Sequence, residues 1–197
     1  MKVCGLTGGV GMGKSTAASF FQQAGAAVVD TDEVARDLTQ PGQPALAEIQ
    51  SAFGPQFVGP DGRLRRPELA RLVFADAVAR RKLEAILHPR IRERWVAQVE
   101  CCRRQSRSLA VVVIPLLFET QAETQFDQIV CAACSAATQR ERLLTRGWMP
   151  EQITGCLAAQ LPAEEKIARS HFVIWTEGAL DLCARQVGQI LGRLQKM

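Results

Sequence analysis

Histidine is scarce in this sequence: His88 and His171 are the only two among 197 residues. A zinc site therefore has little to draw on, because structural zinc takes four ligands. Cys131 and Cys134 have C-x-x-C spacing, but there is no second such pair. Both fall on or at the end of an expected buried strand, where cysteine acts as a small apolar residue. The seven cysteines (Cys4, Cys101, Cys102, Cys131, Cys134, Cys156 and Cys183) are odd in number and scattered, which does not read as a disulfide framework. Long apolar runs are missing too. The longest, Leu109 to Phe118, contains Pro115 and reaches about half of what a membrane helix requires. The opening residues reach Gly5, Gly8 and Gly9 before an apolar leader core can form, so a soluble, cytoplasmic protein with no membrane partner is expected. Charge of one sign is also in short supply, with 24 Lys plus Arg against 20 Asp plus Glu and a formal charge of +4. That surplus suits an anionic ligand and is too small to point to nucleic acid.

What remains is an ordinary globular composition, 47% hydrophobic and 22% charged, in a chain long enough for one domain with a sizeable insertion. Such a chain buries roughly 70% of its unfolded surface and needs no disulfide or metal to hold it. Short apolar runs at Val3–Leu6, Ala26–Val29, Leu109–Ile114, Gln128–Ala133 and Phe172–Trp175 alternate with helical stretches. Continuous apolar strands between helices predict an α/β protein with a parallel sheet of about five strands, covered on both faces. The mostly helical stretch 44–107 is too long for one crossover and reads as an insertion, broken at Phe53-Gly54-Pro55 and at Gly59-Pro60-Asp61-Gly62. A second helical stretch, 138–168, is broken at Arg146–Pro150.

Gly8-Gly9-Val10-Gly11-Met12-Gly13-Lys14-Ser15 matches G-x-x-x-x-G-K-[ST] directly after a strand and before a helix. Gly8, Gly11 and Gly13 let the backbone wrap a phosphate chain, and the helix beyond offers unpaired N–H groups and the positive end of its dipole. Lys14 supplies a charge for the β- and γ-phosphates, and Ser15 a hydroxyl for Mg²⁺. Nucleoside triphosphate binding follows; the fate of the phosphate does not.

Two further elements bear on that fate. Asp30-Thr31-Asp32 ends an expected strand, where active groups of open α/β sheets gather. Asp32 either caps a helix starting at Glu33 or points into a cleft to orient an acceptor hydroxyl. Arg142 and Arg146, four residues apart, either form a solvated face with Glu141 or close over a transferring phosphoryl group, with Gly147 as a flexible joint. Trp95, Trp148 and Trp175 are expected to pack in a core or lid rather than stack on bases.

Taken together, the chain resembles the dephospho-coenzyme A kinase family of P-loop, nucleoside-monophosphate-kinase-like enzymes. The resemblance runs over nearly the whole length. It is carried by Gly5–Thr16, by Asp30-Thr31-Asp32-Glu33-Val34-Ala35-Arg36, and by Asp61-Gly62, Arg66, Leu69 and Val73-Phe74. It continues through Leu87-His88-Pro89-Arg90-Ile91-Arg92 and Pro115-Leu116-Leu117-Phe118-Glu119 to Gln139, Arg142, Arg146, Gln160 and Lys166. The H-P-x-I-R and P-L-L-F-E elements are far more specific than the loop alone. The sequence departs from the family pattern at Met12, usually small and polar, at Ser170-His171, usually Ala-Asp, and at Trp175-Thr176, usually Asp-Asn.

The resemblance implies ATP-dependent phosphorylation of the ribose 3′-hydroxyl of dephospho-CoA, the last step of coenzyme A synthesis. It implies a P-loop NTPase-type five-stranded parallel sheet with a helical insertion domain and a helical lid. The core would comprise 1–43, 108–137 and 169–197, the acceptor-binding insertion 44–107, and the lid 138–168. Gly8, Gly11, Met12, Gly13, Lys14, Ser15 and Thr16 would bind ATP, with Mg²⁺ on Ser15. Asp32 becomes the general base beside Lys14, Arg142 and Arg146, and His88 and Arg92 join the acceptor pocket. Without the resemblance, His88-Pro89 reads as a helix boundary. A monomer is expected, with a small homo-oligomer as the alternative. The rivals are a P-loop kinase acting on a nucleoside or nucleotide, and a nucleotide switch, which should carry an N-K-x-D element that the sequence lacks.

Overall fold

A computed structural model describes residues 1–196. The chain packs as two units, one of Met1–Val29 with the residues from Val99 onward, the other of Asp30–Gln98. In the first, five strands form a sheet in the order β2-β3-β1-β4-β5. They are β1 (Lys2–Thr7), β2 (Ala27–Asp30), β3 (Leu109–Val113), β4 (Gln128–Ala133) and β5 (Phe172–Trp175). The pairings β1–β3, β1–β4 and β4–β5 are parallel, with Lys2 opposite Leu109, Cys4 opposite Gln128 and Val130 opposite Phe172. β3 is buried at every residue, as a central parallel strand covered on both faces must be.

Helices α1 (Lys14–Gln23) and α9 (Leu180–Lys196) cover one face of the sheet. Phe21, Ala17, Cys183, Val187, Ile190 and Leu194 pack there with Leu6, Val111, Val130 and Ile174 in one cluster. Removing this apolar surface from water, at roughly 25 cal/mol per Å², stabilises the unit. β5 is an edge strand, and its outward-facing peptide groups at Trp175 are closed by a side chain. Gln186 Oε1 accepts from the Trp175 N–H and Gln186 Nε2 donates to the Trp175 carbonyl, each at 2.9 Å. Trp175 is 42% exposed at this edge, rather than packed in the core or lid expected for it.

The stretch expected as 138–168 forms α6 (Ala136–Thr145), α7 (Pro150–Ala158) and α8 (Ala163–Ala168). Gly147, expected as a joint, closes α6 in the left-handed conformation at φ +79°, with its N–H on the Leu144 carbonyl and the Trp148 N–H on that of Leu143.

The second unit contains α2 (Thr31–Leu38), α3 (Pro44–Phe53), α4 (Arg66–Ala75) and most of α5 (Ala77–Arg104). Both expected breaks are present. Gly54 ends α3 before a 3₁₀ turn at Pro55–Phe57, and the Gly59 N–H bonds the Arg63 carbonyl at 2.8 Å across the turn through Gly62. Its core is small, with Ile49, Leu69 and Ile86 buried and Phe53, Phe57, Leu64 and Leu72 packed against them. The boundary expected from His88-Pro89 is absent: α5 runs through Pro89. Proline removes one helical hydrogen bond. Arg90 ties the turn together, donating to the Ile86 carbonyl at 2.6 Å and pairing with Glu48 at 2.5 Å.

Candidate active site

β1 ends at Thr7 and the chain enters a loop whose backbone angles at three positions only glycine adopts at low cost. Gly8, Gly11 and Gly13 have φ of +142°, +76° and +82°. A Cβ on Gly8 would lie 2.2 Å from the Ala132 carbonyl oxygen, and one on Gly13 would lie 2.9 Å from Thr176 Oγ1. Glycine is therefore demanded twice at each position, by backbone angle and by space. Gly13 is the N-cap of α1 and has no side chain to cap it, so no capping side chain competes with an anion at the start of that helix.

Lys14 Nζ lies over the loop and donates to the carbonyls of Gly8 and Gly9, each at 2.9 Å. Ser15 is exposed at the start of α1, Thr16 is half-buried, and Met12 is 3% exposed with its side chain turned inward. The Met12 carbonyl accepts from Thr176 Oγ1 at 3.1 Å. Thr176 thus holds the loop, a role that its place beyond β5 does not announce.

Arg142, on α6, donates to Thr176 Oγ1 at 3.0 Å, to the Thr176 carbonyl at 2.6 Å and to the Gly11 carbonyl at 3.5 Å. One planar guanidinium spans two segments by this fork of donors. Arg146 is the C-cap of α6 and is exposed.

Glu177, the next residue after Thr176, accepts from the Ser135 N–H at 2.7 Å, where Ser135 is the N-cap of α6. Hydrogen bonds from the Ser135 side chain, then from Thr138 and the Ser135 backbone, pull its carboxyl down to about 2. Burial pushes the Cys4 thiol up to about 12 and the Cys131 thiol to about 11, so neither is a thiolate at neutral pH. Among the described residues, no cluster of three His, Cys, Asp or Glu side chains is arranged to hold a metal, and no helix is long and apolar enough to cross a membrane.

In the second unit the helix after β2 begins at Thr31, two residues before the expected start. Asp30 is the N-cap: its Oδ1 accepts from the Asp32 N–H at 2.8 Å. Capping thus falls to Asp30, and the exposed Asp32 carboxylate sits in the first turn of α2. His88 is half-buried and Arg92 exposed, one turn apart on α5 and so on one face.

Comparison with known proteins places this geometry. A family model described as dephospho-CoA kinase matches residues 2–181. The chain is 42% identical over 188 residues to a dephospho-CoA kinase from Symbiobacterium thermophilum, covering 95% of this chain and 79% of that one. It is 43% identical over 196 residues to a dephospho-CoA kinase from Anaeromyxobacter dehalogenans, covering 99% and 93%. Its fold is similar to the crystal structure of TT1252 from Thermus thermophilus, with a TM-score of 0.83, 32% identity, and coverage of 98% and 97%. Sheet order, glycine cradle and helices together are those of the P-loop NTPase fold. With a family model spanning most of its length and full-length relatives above 40% identity, the chain belongs to the dephospho-CoA kinase family.

Proposed function

We propose that the protein transfers the γ-phosphoryl group of ATP to the ribose 3′-hydroxyl of dephospho-CoA, yielding coenzyme A and ADP. The observation that carries this reading is the family match over residues 2–181, which includes the whole of the glycine cradle. Phosphoryl transfer passes through a loose transition state, so the protein's contribution is placement and charge.

The N–H groups from Gly11 to Thr16 and the ammonium of Lys14 hold the phosphates. On binding, Lys14 Nζ exchanges the carbonyls of Gly8 and Gly9 for phosphate oxygens. The exposed Ser15 hydroxyl fits Mg²⁺, which prefers one or two protein ligands with substrate phosphates and water. When bound, that ion neutralises phosphate charge. Asp32 aligns the 3′-hydroxyl; the oxygen bonds to the γ-phosphorus as the bond to the β–γ bridging oxygen breaks, and the hydroxyl proton passes to the Asp32 carboxylate. Arg142 and Arg146 offset the negative charge of the transferring group. His88 and Arg92 contact the acceptor. The enzyme acts in the cytoplasm as a monomer, or as a small homo-oligomer.

A coupled assay of ADP release across candidate acceptors tests the reading, with the phosphorylated position located by NMR. Turnover with dephospho-CoA at the 3′-oxygen is the expected result. Turnover with nucleoside monophosphates and none with dephospho-CoA would assign the chain another acceptor.

A further inference from the structure

Glu119, Gln139, Gln160 and Lys166 take no part in the chemistry above, yet the structure gathers them around one residue of the cradle. Both backbone polar groups of Val10 are taken by side chains. Its N–H donates to Gln160 Oε1 at 3.1 Å, and its carbonyl accepts from Gln139 Nε2 at 2.7 Å. Gln139 is buried and comes from α6, whereas Gln160 comes from the link between α7 and α8. Gly9 makes room for the first of these, since a Cβ there would lie 2.9 Å from Gln139 Nε2.

The residue after Gln160 moors the second. The Leu161 N–H donates to Glu119 Oε1 at 2.8 Å, and the same oxygen pairs with Lys166 Nζ at 2.8 Å. Lys166 Nζ also donates to the Pro115 carbonyl at 2.8 Å, which accepts in addition from Thr7 Oγ1 at 3.3 Å. Lys166 is wholly buried, so its charge is tolerated only while Glu119 and Pro115 answer it. The end of β1, the turn after β3, the α7–α8 link and the crest of the cradle are thereby joined in one closed circuit of hydrogen bonds.

We propose that Gln160 is a positioning residue for the nucleotide: moored by the Glu119–Lys166 pair, it holds the Val10 peptide so that the cradle is ready for phosphate before ATP arrives. The inference rests on the reading that the cradle binds ATP. A loop this rich in glycine has much backbone freedom to lose on binding. Fixing Val10 at both its N–H and its carbonyl pins two successive peptide groups and removes part of that cost in advance, and preorganisation of this kind raises affinity. The Val10 N–H, already spent on Gln160, is no phosphate ligand. The effect therefore belongs to nucleotide binding and not to the chemical step.

Gln160→Met keeps the side-chain length and removes the strong acceptor. ATP Kd is measured by calorimetry on the full chain without acceptor, alongside kcat, both KM values and Tm. Kd and KM for ATP should rise together by about three- to tenfold, the range carried by one neutral hydrogen bond. The acceptor KM and kcat should stay within about twofold, because uniform ground-state binding is what is lost. The double variant Lys166→Met/Glu119→Leu, which strands no buried charge, should weaken ATP in the same direction. A folded Gln160→Met protein with wild-type ATP Kd, or with both KM values raised equally, overturns the proposal. Since Kd is read without acceptor, failure of the wild type to phosphorylate dephospho-CoA would instead count against the acceptor assignment alone.

Discussion

The two packed units work with different parts of the peptide. Around Gly8–Ser15 the groups offered to a ligand are mostly main-chain N–H groups, and side chains such as Thr176, Arg142, Gln139 and Gln160 serve to hold that main chain. In the 30–98 unit the backbone is spent inside helices, and the outer surface is side chain. Asp32 and Arg92 are exposed, and Arg66 donates to the Arg36 carbonyl and to Thr39 Oγ1. Burial, and then the neighbouring charge of Arg36, lower the pKa of Arg66. On the function proposed above, the triphosphate, which many enzymes bind, meets a shape, whereas the acceptor, which is particular, meets functional groups that are easier to exchange.

The largest effect that would break this contrast lies at Asp32. Asp32→Asn should lower kcat by roughly 10²–10⁴, the range for a positioned base, with ATP Kd unchanged by calorimetry. Unchanged turnover would show that this carboxylate does no more than sit in the first turn of α2.

Lys14→Ala tests the other side, where one side chain joins the main-chain cradle. Turnover should fall by roughly 10²–10³, as when one preorganised donor to developing charge is removed, in a protein with a normal circular dichroism spectrum. Wild-type kcat would mean that the main chain alone suffices.

The smallest effect separates scaffold from chemistry. Glu177 holds its charge in the folded protein down to about 2, against an ordinary value of 4.5. Its contribution is therefore full above about pH 4.5 and fades as pH falls towards 2. Glu177→Gln should flatten that part of the Tm-against-pH curve and leave kcat at neutral pH as it was. A parallel curve, merely displaced, would rule out the carboxylate as the source.

The cradle was legible because its requirements are steric. Glycine at positions 8, 11 and 13, followed by Lys14-Ser15 after an apolar run, admits few other readings. The inner strands were legible for a similar reason, since strands buried on both faces are apolar throughout, and the edge strands β2 and β5 showed as short apolar runs although they are only partly buried. The helix start at Thr31 was not, because two carboxylates two residues apart compete for one cap and spacing does not say which wins. Nor was the continuity of α5 through Pro89, where Arg90 reaches a carbonyl one turn back and Glu48 far away in the chain, contacts that local spacing does not report. Arg142 was expected over phosphate, and its bonds to Thr176 and Gly11 arise from residues more than 30 positions distant, which no local pattern reports.

The amide of Gln186 at the rim of the sheet has one more consequence. A sheet grows wherever a lone strand shows a row of unmet donors and acceptors to another extended peptide. At Trp175 both are already occupied by a side chain from α9, so an arriving strand finds its hydrogen-bonding register interrupted. The β5 edge thus carries its own stop against ladder growth at Trp175, and it does so with a glutamine, at no cost in net charge.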